Sequence, residues 1–269
     1  MAQTVVITGA SSGIGQATAL MFHTRGWNVA ATMRRPALVD WAPVASSFGL
    51  FVLDVTDTVS IERALEDIDA RFGRIDVLVN NAGYALVGPF EASSPVQIER
   101  QFATNVSGLL NVTRAVLRRL RAQGGGILIN VASVGGRTTS PLLSIYHATK
   151  WAIEGFSESL QYEVEPFNIR VKVIEPGVIK TAFYDRSMDI ARESGLTAYD
   201  DYTERILSRI RGFAAHAPGP ERVARAIYRA ATDGSRRLRY SPNAGMILAL
   251  RWLLPYALFS RAIKAALGR

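Results

Sequence analysis

Short apolar runs alternate with longer amphipathic segments through most of the chain. The short runs are apolar on both faces, which is typical of strands buried inside a parallel sheet, and the longer segments have the spacing of crossover helices. The predicted strands cover residues 4–8, 28–33, 50–55, 77–80, 126–132 and 170–175, with a seventh over 237–240. The predicted helices cover residues 13–24, 60–72, 95–122, 144–165 and 220–232. This alternation predicts an α/β fold: a Rossmann-like doubly wound parallel sheet of about seven strands with helices on both faces.

No linker-like or low-complexity stretch divides residues 1–269, so we expect a single domain. Residues 182–217 break the alternation and are interpreted as a substrate loop over the carboxyl edge of the sheet. Residues 241–269 form an apolar C-terminal extension, whose most apolar part is interrupted by Arg251 and Pro255 and is shorter than the about 20 residues of a spanning helix. We expect this extension to pack on its own domain. A lid over a binding cleft and contact with a membrane surface are the less favoured alternatives.

Composition and charge exclude several kinds of chemistry. The chain has no cysteine, so disulfides, thiolate metal sites and cysteine nucleophiles are excluded. Its three histidines lie far apart in the sequence, and no metal site is expected. The net charge of +8 suits acidic partners, but no block of five like charges occurs, and nucleic-acid binding is not expected. The N-terminus shows no export signal, so we expect a cytoplasmic protein.

The turn after the first predicted strand has the composition of a phosphate-binding turn. Residues 8–15 read TGASSGIG and open a predicted helix. Glycine allows a sharp turn and a close backbone approach to a pyrophosphate, and a helix N-terminus offers N–H groups to an anion. The spacing is G-x-x-x-G-x-G rather than G-x-G-x-x-G, and an unliganded turn is the alternative. The residues predicted to bind the cofactor here are Gly9, Ser11, Ser12, Gly13, Ile14 and Gly15.

Two arginines, Arg34 and Arg35, follow the second predicted strand. An NAD site places an acidic residue about 20 residues beyond its glycines, to accept a hydrogen bond from the ribose 2′-hydroxyl. An arginine suits a 2′-phosphate instead, through a charge-assisted contact. The sequence therefore predicts NADP(H) over NAD(H), with ordinary surface charge as the alternative, above all for Arg35. Weaker candidates at the same edge, where an adenosine would lie, are Asp54, Val55, Asn81, Ala82 and Gly83.

Tyr146 and Lys150 stand four residues apart in a predicted helix, so their side chains project from one face. A neighbouring cation lowers the pKa of a tyrosine from about 10 towards neutrality, which makes the phenol a usable general acid or base. Ser133 ends the fifth predicted strand and is placed to hydrogen-bond the same substrate oxygen. A tyrosine–lysine pair alone is usually without function, but this one follows both a glycine turn and a serine at a strand end.

These residues together resemble the short-chain dehydrogenase/reductase family over about the first 180 residues. Residues 8–15 look like its coenzyme-binding turn, and residues 80–83, which read NNAG, look like its sheet-stabilising motif. Ser133, Tyr146 and Lys150 resemble its catalytic triad. The remaining matches are Asn105, as a fourth catalytic position, and a segment that holds the nicotinamide carboxamide, with Pro176, Gly177, Val178 and Thr181.

The resemblance implies a carbonyl reductase reaction. Tyr146 would protonate the carbonyl oxygen as a hydride arrives from the nicotinamide, and Ser133 would orient and polarise that carbonyl. Lys150 would lower the tyrosine pKa and hold the ribose hydroxyls, and Asn105 would position a proton-relay water. The family also implies a homodimer or homotetramer packed through the helices at residues 95–122 and 144–165.

The segments expected to line the substrate pocket are mainly apolar or aromatic: residues 84–90, 142–145, 178–179 and 183–184. We therefore predict an NADPH-dependent oxidoreductase that acts on a lipophilic ketone, aldehyde or secondary alcohol of steroid, retinoid or aryl type. A 3-oxoacyl-carrier-protein reductase, whose acidic partner would dock on the basic surface, is the enzymatic alternative. A non-catalytic NADPH-binding sensor or scaffold and a cofactor-free dehalogenase are also considered. The retained tyrosine–lysine pair and the glycine turn disfavour both.

Overall fold

A computed structural model describes residues 2–181 and 187–267. Its main element is a sheet of seven strands in which every neighbouring pair runs parallel. The strands are β1 (Thr4–Ile7), β2 (Asn28–Met33), β3 (Phe48–Val52), β4 (Val77–Asn80), β6 (Gly126–Val131), β7 (Ile169–Ile174) and β9 (Arg239–Tyr240). Their spatial order is β3-β2-β1-β4-β6-β7-β9, so the order reverses between β1 and β4. The predicted Rossmann-like doubly wound sheet is confirmed.

Helices cover both faces of this sheet. The helices are α1 (Gly13–His23), α2 (Thr58–Phe72), α3 (Pro95–Phe102), α4 (Gly108–Ala122), α5 (Ser144–Val164), α6 (Asp200–Ala215), α7 (Glu221–Thr232), α8 (Gly245–Leu253) and α9 (Tyr256–Leu267). Successive strand residues point to opposite faces. Val5 therefore packs with α1 and α7, through Phe22 and Ile227, while Val6 packs with α2 and α4, through Leu65 and Val116.

The third predicted strand has the wrong bounds, and the third predicted helix is not continuous. The third strand was predicted over residues 50–55, but β3 pairs with β2 only from Phe48 to Val52. Val55 lies after the end of β3 and is buried against Gly108 of α4. An apolar residue buried in a loop looks the same in the sequence as one buried in a strand, so the pattern extended the predicted strand too far. The helix predicted over 95–122 is interrupted by a π-helical turn over 103–107.

The substrate-loop segment contains secondary structure that the sequence pattern did not predict. Strand β8 (Met188–Ile190) pairs in parallel with β5 (Ala85–Val87), forming a second, two-stranded sheet. Helix α6 follows, and Ile206 and Leu207 on this helix are buried with Ala85 and Val87. The loop therefore lies beside the segment that follows β4.

The C-terminal extension departs from its expected packing. Helix α8 contains no buried residue, and Phe259 is the buried residue of α9. The expectation that this extension packs on its own domain is therefore wrong for most of its apolar side chains. No helix in the described part of the chain is long and apolar enough to cross a membrane.

Candidate active site

The glycine turn joins β1 to α1 at the carboxyl edge of the sheet. Gly9 and Gly13 have φ angles of +64° and +57°, a left-handed backbone that favours glycine. A Cβ on Gly9 would lie 2.8 Å from Cα of Ala82. Ser12 precedes α1 without capping it through its side chain, and the first N–H groups of a helix have no intrahelical partner. The turn therefore fits an anionic group such as a pyrophosphate.

The residues after β4 shape this turn. Nδ2 of Asn81 donates to the carbonyl oxygens of Thr8 (2.9 Å) and Gly9 (3.1 Å). Oγ1 of Thr8 accepts hydrogen bonds from the backbone N–H groups of Asn81 and Ala82, at 3.0 and 3.1 Å. Asn81 and Ala82 thus hold the turn in place, and their contact with an adenosine stays a prediction, as it does for Gly83.

The segment after β7 faces the glycine turn. A Cβ on Gly13 would lie 3.6 Å from Cβ of Thr181, so the two segments come within one side chain of each other. The backbone N–H of Gly177 donates to the carbonyl oxygen of Pro242, at 3.0 Å, and a Cβ on this glycine would overlap the carbonyl oxygen of Asn243. The predicted carboxamide-binding segment therefore lies opposite the helix N-terminus and is supported from behind by residues 242–243.

Arg34 and Arg35 are exposed at the end of β2, and neither forms an ion pair with a residue that the structure describes. Next to them lies a contact that the sequence did not predict. Nε1 of Trp41 donates to the carbonyl oxygen of Ser11, at 3.1 Å, and this bond holds the segment after β2 against the glycine turn. Asp54 has Oδ1 engaged with Thr56, at 2.9 Å to its N–H and 2.7 Å to its hydroxyl.

Lys150 and Tyr146 lie together at the end of β6. Nζ of Lys150 donates to the carbonyl oxygen of Val131 (2.9 Å) and lies 5.7 Å from the centre of the Tyr146 ring. Burial lowers the pKa of Lys150 to about 8, and the charge of Glu154 acts in the opposite direction. Ser133 begins the turn that follows β6, and its Oγ accepts a hydrogen bond from Gly135 N–H, at 3.0 Å.

His147 fastens this turn to α5, a role that the sequence did not reveal. Its Nε2 accepts from the backbone N–H of Ser140 (3.0 Å), so the ring proton is on Nδ1, which donates to the carbonyl oxygen of Gly135 (2.9 Å). Burial lowers the pKa of His147, which keeps the ring neutral and able to accept. His147 directly follows Tyr146 in α5. Its two hydrogen bonds therefore fix the turn that contains Ser133 relative to Tyr146.

Asn105 lies in the π-helical turn and holds the segment that enters β5. Nδ2 of Asn105 donates to the carbonyl oxygen of Tyr84 (2.9 Å) and to Oγ1 of Thr149 (3.2 Å), and its Oδ1 accepts from Tyr84 N–H (3.1 Å). Gln101, one helical turn earlier, donates to the same carbonyl oxygen at 2.8 Å and accepts from Leu86 N–H. Asn105 therefore links the segment after β4 to α5. Gln101 has no motif around it that would have identified it.

A groove of about 370 Å³ opens beside α5. It is lined by Gly88, Pro89, Phe90, Glu91, Pro141, Leu142, Ser144, Tyr199 and Tyr202. Leu142 has a φ of +63°, a strained backbone for a branched residue, and its carbonyl oxygen accepts from Gly88 N–H at 2.8 Å. Tyr199 and Tyr202 were not predicted to line a pocket.

Not every residue predicted to line the pocket does so. Val178 is not among the residues that line this groove, and Ile179, also predicted there, is buried in the core. Phe183 and Tyr184 lie outside the described residues.

A buried carboxylate lies behind Lys150. Glu154 is one turn further along α5, and its Oε2 accepts from Nε of Arg239, at 3.0 Å. The same arginine lies 3.4 Å from Oε1 of buried Glu175 and also pairs with exposed Glu158. Burial and the neighbouring Glu175 raise the pKa of Glu154 to about 7. Arg137 also pairs with Glu175, at 3.2 Å, but the two arginines do not offset the burial of Glu154 and its closeness to a second carboxylate.

We expect Glu154→Gln to change how stability depends on pH. A carboxyl group whose folded pKa is raised from 4.5 to about 7 keeps a proton that the unfolded chain releases. Its contribution to the free energy of unfolding therefore falls as pH rises between those values and is constant above them. We expect the free energy of unfolding of the wild type, measured with urea, to fall between pH 4.5 and about 7. The fall should exceed that of Glu154→Gln by at least about 1 kcal/mol.

Glu158→Gln is the matched control, because it removes an exposed carboxylate from the same arginine and leaves the buried one in place. The same pH dependence in both variants would show that burial of Glu154 is not the cause.

The comparison with known proteins identifies the family. A model described as short chain dehydrogenase matches residues 3–189. The chain belongs to the short-chain dehydrogenase/reductase family. This family member is an oxidoreductase that acts on CH–OH groups of its donors. The match extends to Asp189 of β8 and therefore includes Ser133, Tyr146 and Lys150.

Several relatives match this short-chain dehydrogenase over three quarters or more of both chains. An uncharacterized oxidoreductase of Bacillus subtilis, YusZ, is 37% identical, and the match covers 97% of each chain. The 3-ketodihydrosphingosine reductase of Bacteroides thetaiotaomicron is 37% identical over 78% of this chain and 75% of that protein. A solved short-chain dehydrogenase from Streptomyces avermitilis has 32% identity and a TM-score of 0.80, with 98% of each chain covered.

Solved structures with this fold hold either nicotinamide coenzyme. The structure of ElxO with NADP bound has a TM-score of 0.73 and 26% identity, and it covers 91% of this chain and 99% of that one. A short-chain dehydrogenase/reductase from Burkholderia phymatum, solved in complex with NAD, shares the fold at a TM-score of 0.77. Membership of the family therefore does not by itself select NADP(H) or NAD(H).

Proposed function

We propose that this protein is an NADPH-dependent carbonyl reductase acting on a lipophilic ketone or aldehyde, or on the matching secondary alcohol. The observation that carries this proposal is the position of Lys150, buried at the end of β6 and 5.7 Å from the Tyr146 ring. The bonds of His147 hold the turn of Ser133 beside them. A cation, a phenol and a hydroxyl at one strand end are the groups that carbonyl reduction requires.

The coenzyme fits the described residues. The glycine turn and the N-terminus of α1 would hold the pyrophosphate, and Arg34 would bind the 2′-phosphate. Thr181, which lies across from Gly13, would contact the nicotinamide half of the coenzyme. Lys150 would donate hydrogen bonds to the ribose hydroxyls. When bound, the coenzyme supplies or accepts the hydride.

The remaining steps belong to the side chains of this chain. Tyr146 gives its hydroxyl proton to the carbonyl oxygen in reduction and takes it back in oxidation. The charge of Lys150 stabilises the phenolate left behind. Ser133 donates to the same oxygen and orients it. Asn105 fixes Tyr84 and α5 around this position, and the proposed proton-relay water would lie beside it.

Arg34→Ala is expected to weaken NADPH binding by about 10- to 100-fold, the worth of one charge-assisted hydrogen-bonded contact, and to leave NADH binding unchanged. The measurement is a titration of each coenzyme by nicotinamide fluorescence. Arg63→Ala removes an exposed arginine of α2 and is the matched control. Equal loss for both coenzymes would contradict a contact with the 2′-phosphate.

The choice of a lipophilic substrate rests on the groove beside α5. Its walls include Phe90, Leu142, Tyr199 and Tyr202, and a relative is named for its action on a ketone, 3-ketodihydrosphingosine. The test is a panel of ketones of increasing chain length compared with small charged keto acids. Higher kcat/KM for the keto acids would overturn this part of the proposal.

We also propose that the protein is a homodimer or homotetramer packed through α4 and α5. A second groove between these helices is rich in apolar and cationic side chains, among them Leu117, Phe156, Leu160 and Arg118. Sedimentation velocity of the full chain measures the state directly, and a monomer at micromolar concentration would contradict it.

A further inference from the structure

The last two helices present an apolar surface to solvent. Trp252 and Met246 are 84% and 80% exposed, and Leu253, Tyr256 and Leu258 are also exposed. Contiguous exposed apolar patches of this kind mark interaction sites on folded proteins. Single exposed apolar residues would need no explanation, but with Leu250 there are six large ones within thirteen positions.

This surface is held to the body of the protein at both ends. Before α8, Nδ2 of Asn243 donates to the carbonyl oxygen of Val178, at 2.8 Å. In α9, Phe259 is buried, Leu267 packs beside buried residues of α6, and Arg209 of α6 donates to the carbonyl oxygen of Ala266, at 2.9 Å. The exposed side chains are therefore presented on a supported scaffold.

The charge of the chain is concentrated in the same region. Residues 234–269 contain seven Lys and Arg residues and no Asp or Glu, whereas residues 1–233 contain 24 Lys and Arg and 23 Asp and Glu. Arg236 and Arg239 pair with carboxylates of α5 and of the turn that ends it. The cations beyond them are Arg251, Arg261 and Lys264, with Arg269 outside the described residues. Arg251 lies over the Tyr256 and Phe259 rings, at 5.7 and 5.6 Å.

We propose that α8 and α9 form a docking surface for an anionic lipid bilayer and lie in its interface without crossing it. Helices of nine and twelve residues are too short to span, but they suit the plane of the headgroups. Tryptophan and tyrosine prefer that depth, and Lys and Arg add attraction to anionic lipids. The segment after β7, which includes Val178, meets this surface through Asn243.

A second copy of the chain fits the same surface less well. Two-fold pairing places one patch against itself. Arg251, Arg261 and Lys264 would then face their own copies, and the segment after Asp233 offers no carboxylate to neutralise them. Anionic lipid headgroups supply that missing charge.

The test is flotation of the full chain with vesicles of phosphatidylcholine alone and of phosphatidylcholine mixed with phosphatidylglycerol. We expect binding to the anionic vesicles only, weakening as salt is raised. Arg261→Gln with Lys264→Gln is expected to weaken binding about 30-fold, and Trp252→Ser with Leu253→Ser at least about 10-fold. None of these readouts depends on activity, so the result is separate from the proposed function.

Matched controls alter the same residue types elsewhere. Arg222→Gln with Arg225→Gln removes two exposed cations of α7, and Val59→Ser removes an exposed apolar side chain of α2. Unchanged melting temperatures show that all variants fold. Absence of flotation at low salt would overturn the proposal. So would equal losses in the controls, or a loss of self-association in the α8–α9 variants without vesicle binding, which would assign the surface to a second copy.

Discussion

Tyr146→Phe is expected to reduce kcat for carbonyl reduction by about 10²–10⁴-fold, the usual contribution of a positioned general acid. The substitution removes one hydroxyl and keeps the ring, which packs beside Leu142 and Leu207. Coenzyme affinity and melting temperature are therefore expected to stay close to wild type. The measurement is the decay of reduced-nicotinamide absorbance with a lipophilic ketone, together with a fluorescence titration of NADPH.

Tyr162→Phe is the matched control for this change. Tyr162 lies on the same helix, is exposed, and loses the same hydroxyl without touching the candidate site. Full activity in Tyr146→Phe would reject Tyr146 as the acid. A parallel fall in melting temperature and coenzyme binding would assign the hydroxyl a structural role. Coenzyme binding by the wild type without turnover of any ketone would favour a sensor or scaffold.

Gly15→Ala is expected to destabilise the fold by about 3 kcal/mol and to abolish measurable coenzyme binding. A Cβ at this position would overlap the carbonyl oxygen of Gly9 and would lie 2.7 Å from Nδ2 of Asn81 and 2.9 Å from Cα of Ala10. These atoms belong to the turn itself or to the residue that holds it. Relief of the overlap would therefore move the N–H groups that we expect to bind the pyrophosphate.

Gly155→Ala separates this effect from the general effect of glycine in helices. Gly155 is an exposed position of α5, and a Cβ there meets nothing within 4 Å. Alanine should stabilise the chain at this site by about 0.5–1 kcal/mol, because it has the higher helix propensity. Thermal unfolding of both variants, with and without NADPH, makes the comparison. A Gly15→Ala protein as stable as wild type would contradict close packing at the turn.

The parallel sheet and the edge at which its site lies could be predicted from local pattern. A strand buried on both faces is apolar along its length, and a glycine turn followed by a helix is recognisable from eight consecutive residues, 8–15. Tyr146 and Lys150 are separated by one helical turn, so a correct helix assignment is enough to bring them together.

Other features depend on contacts between distant parts of the chain. Arg239 reaches Glu154 across 85 positions, and Trp41 reaches Ser11 across 30. Gln101 binds the backbone of Tyr84 because the π-helical turn and α3 lie beside β5. Hydrogen bonds of this kind leave no periodicity in the sequence, because either partner alone looks like an ordinary surface residue.

Local sequence pattern was enough to predict the succession of strands and helices in the seven-stranded sheet, the glycine turn, and the residues at the ends of β2, β6 and β7, because each of these depends on neighbours within a few positions. Which apolar residues are buried could not be predicted in this way. Val55 and Ile179 are covered, whereas Trp252 and Leu253 are not, although all four are apolar. Hydrophobicity favours burial of every such side chain, but which of them is covered depends on whether another element packs against it.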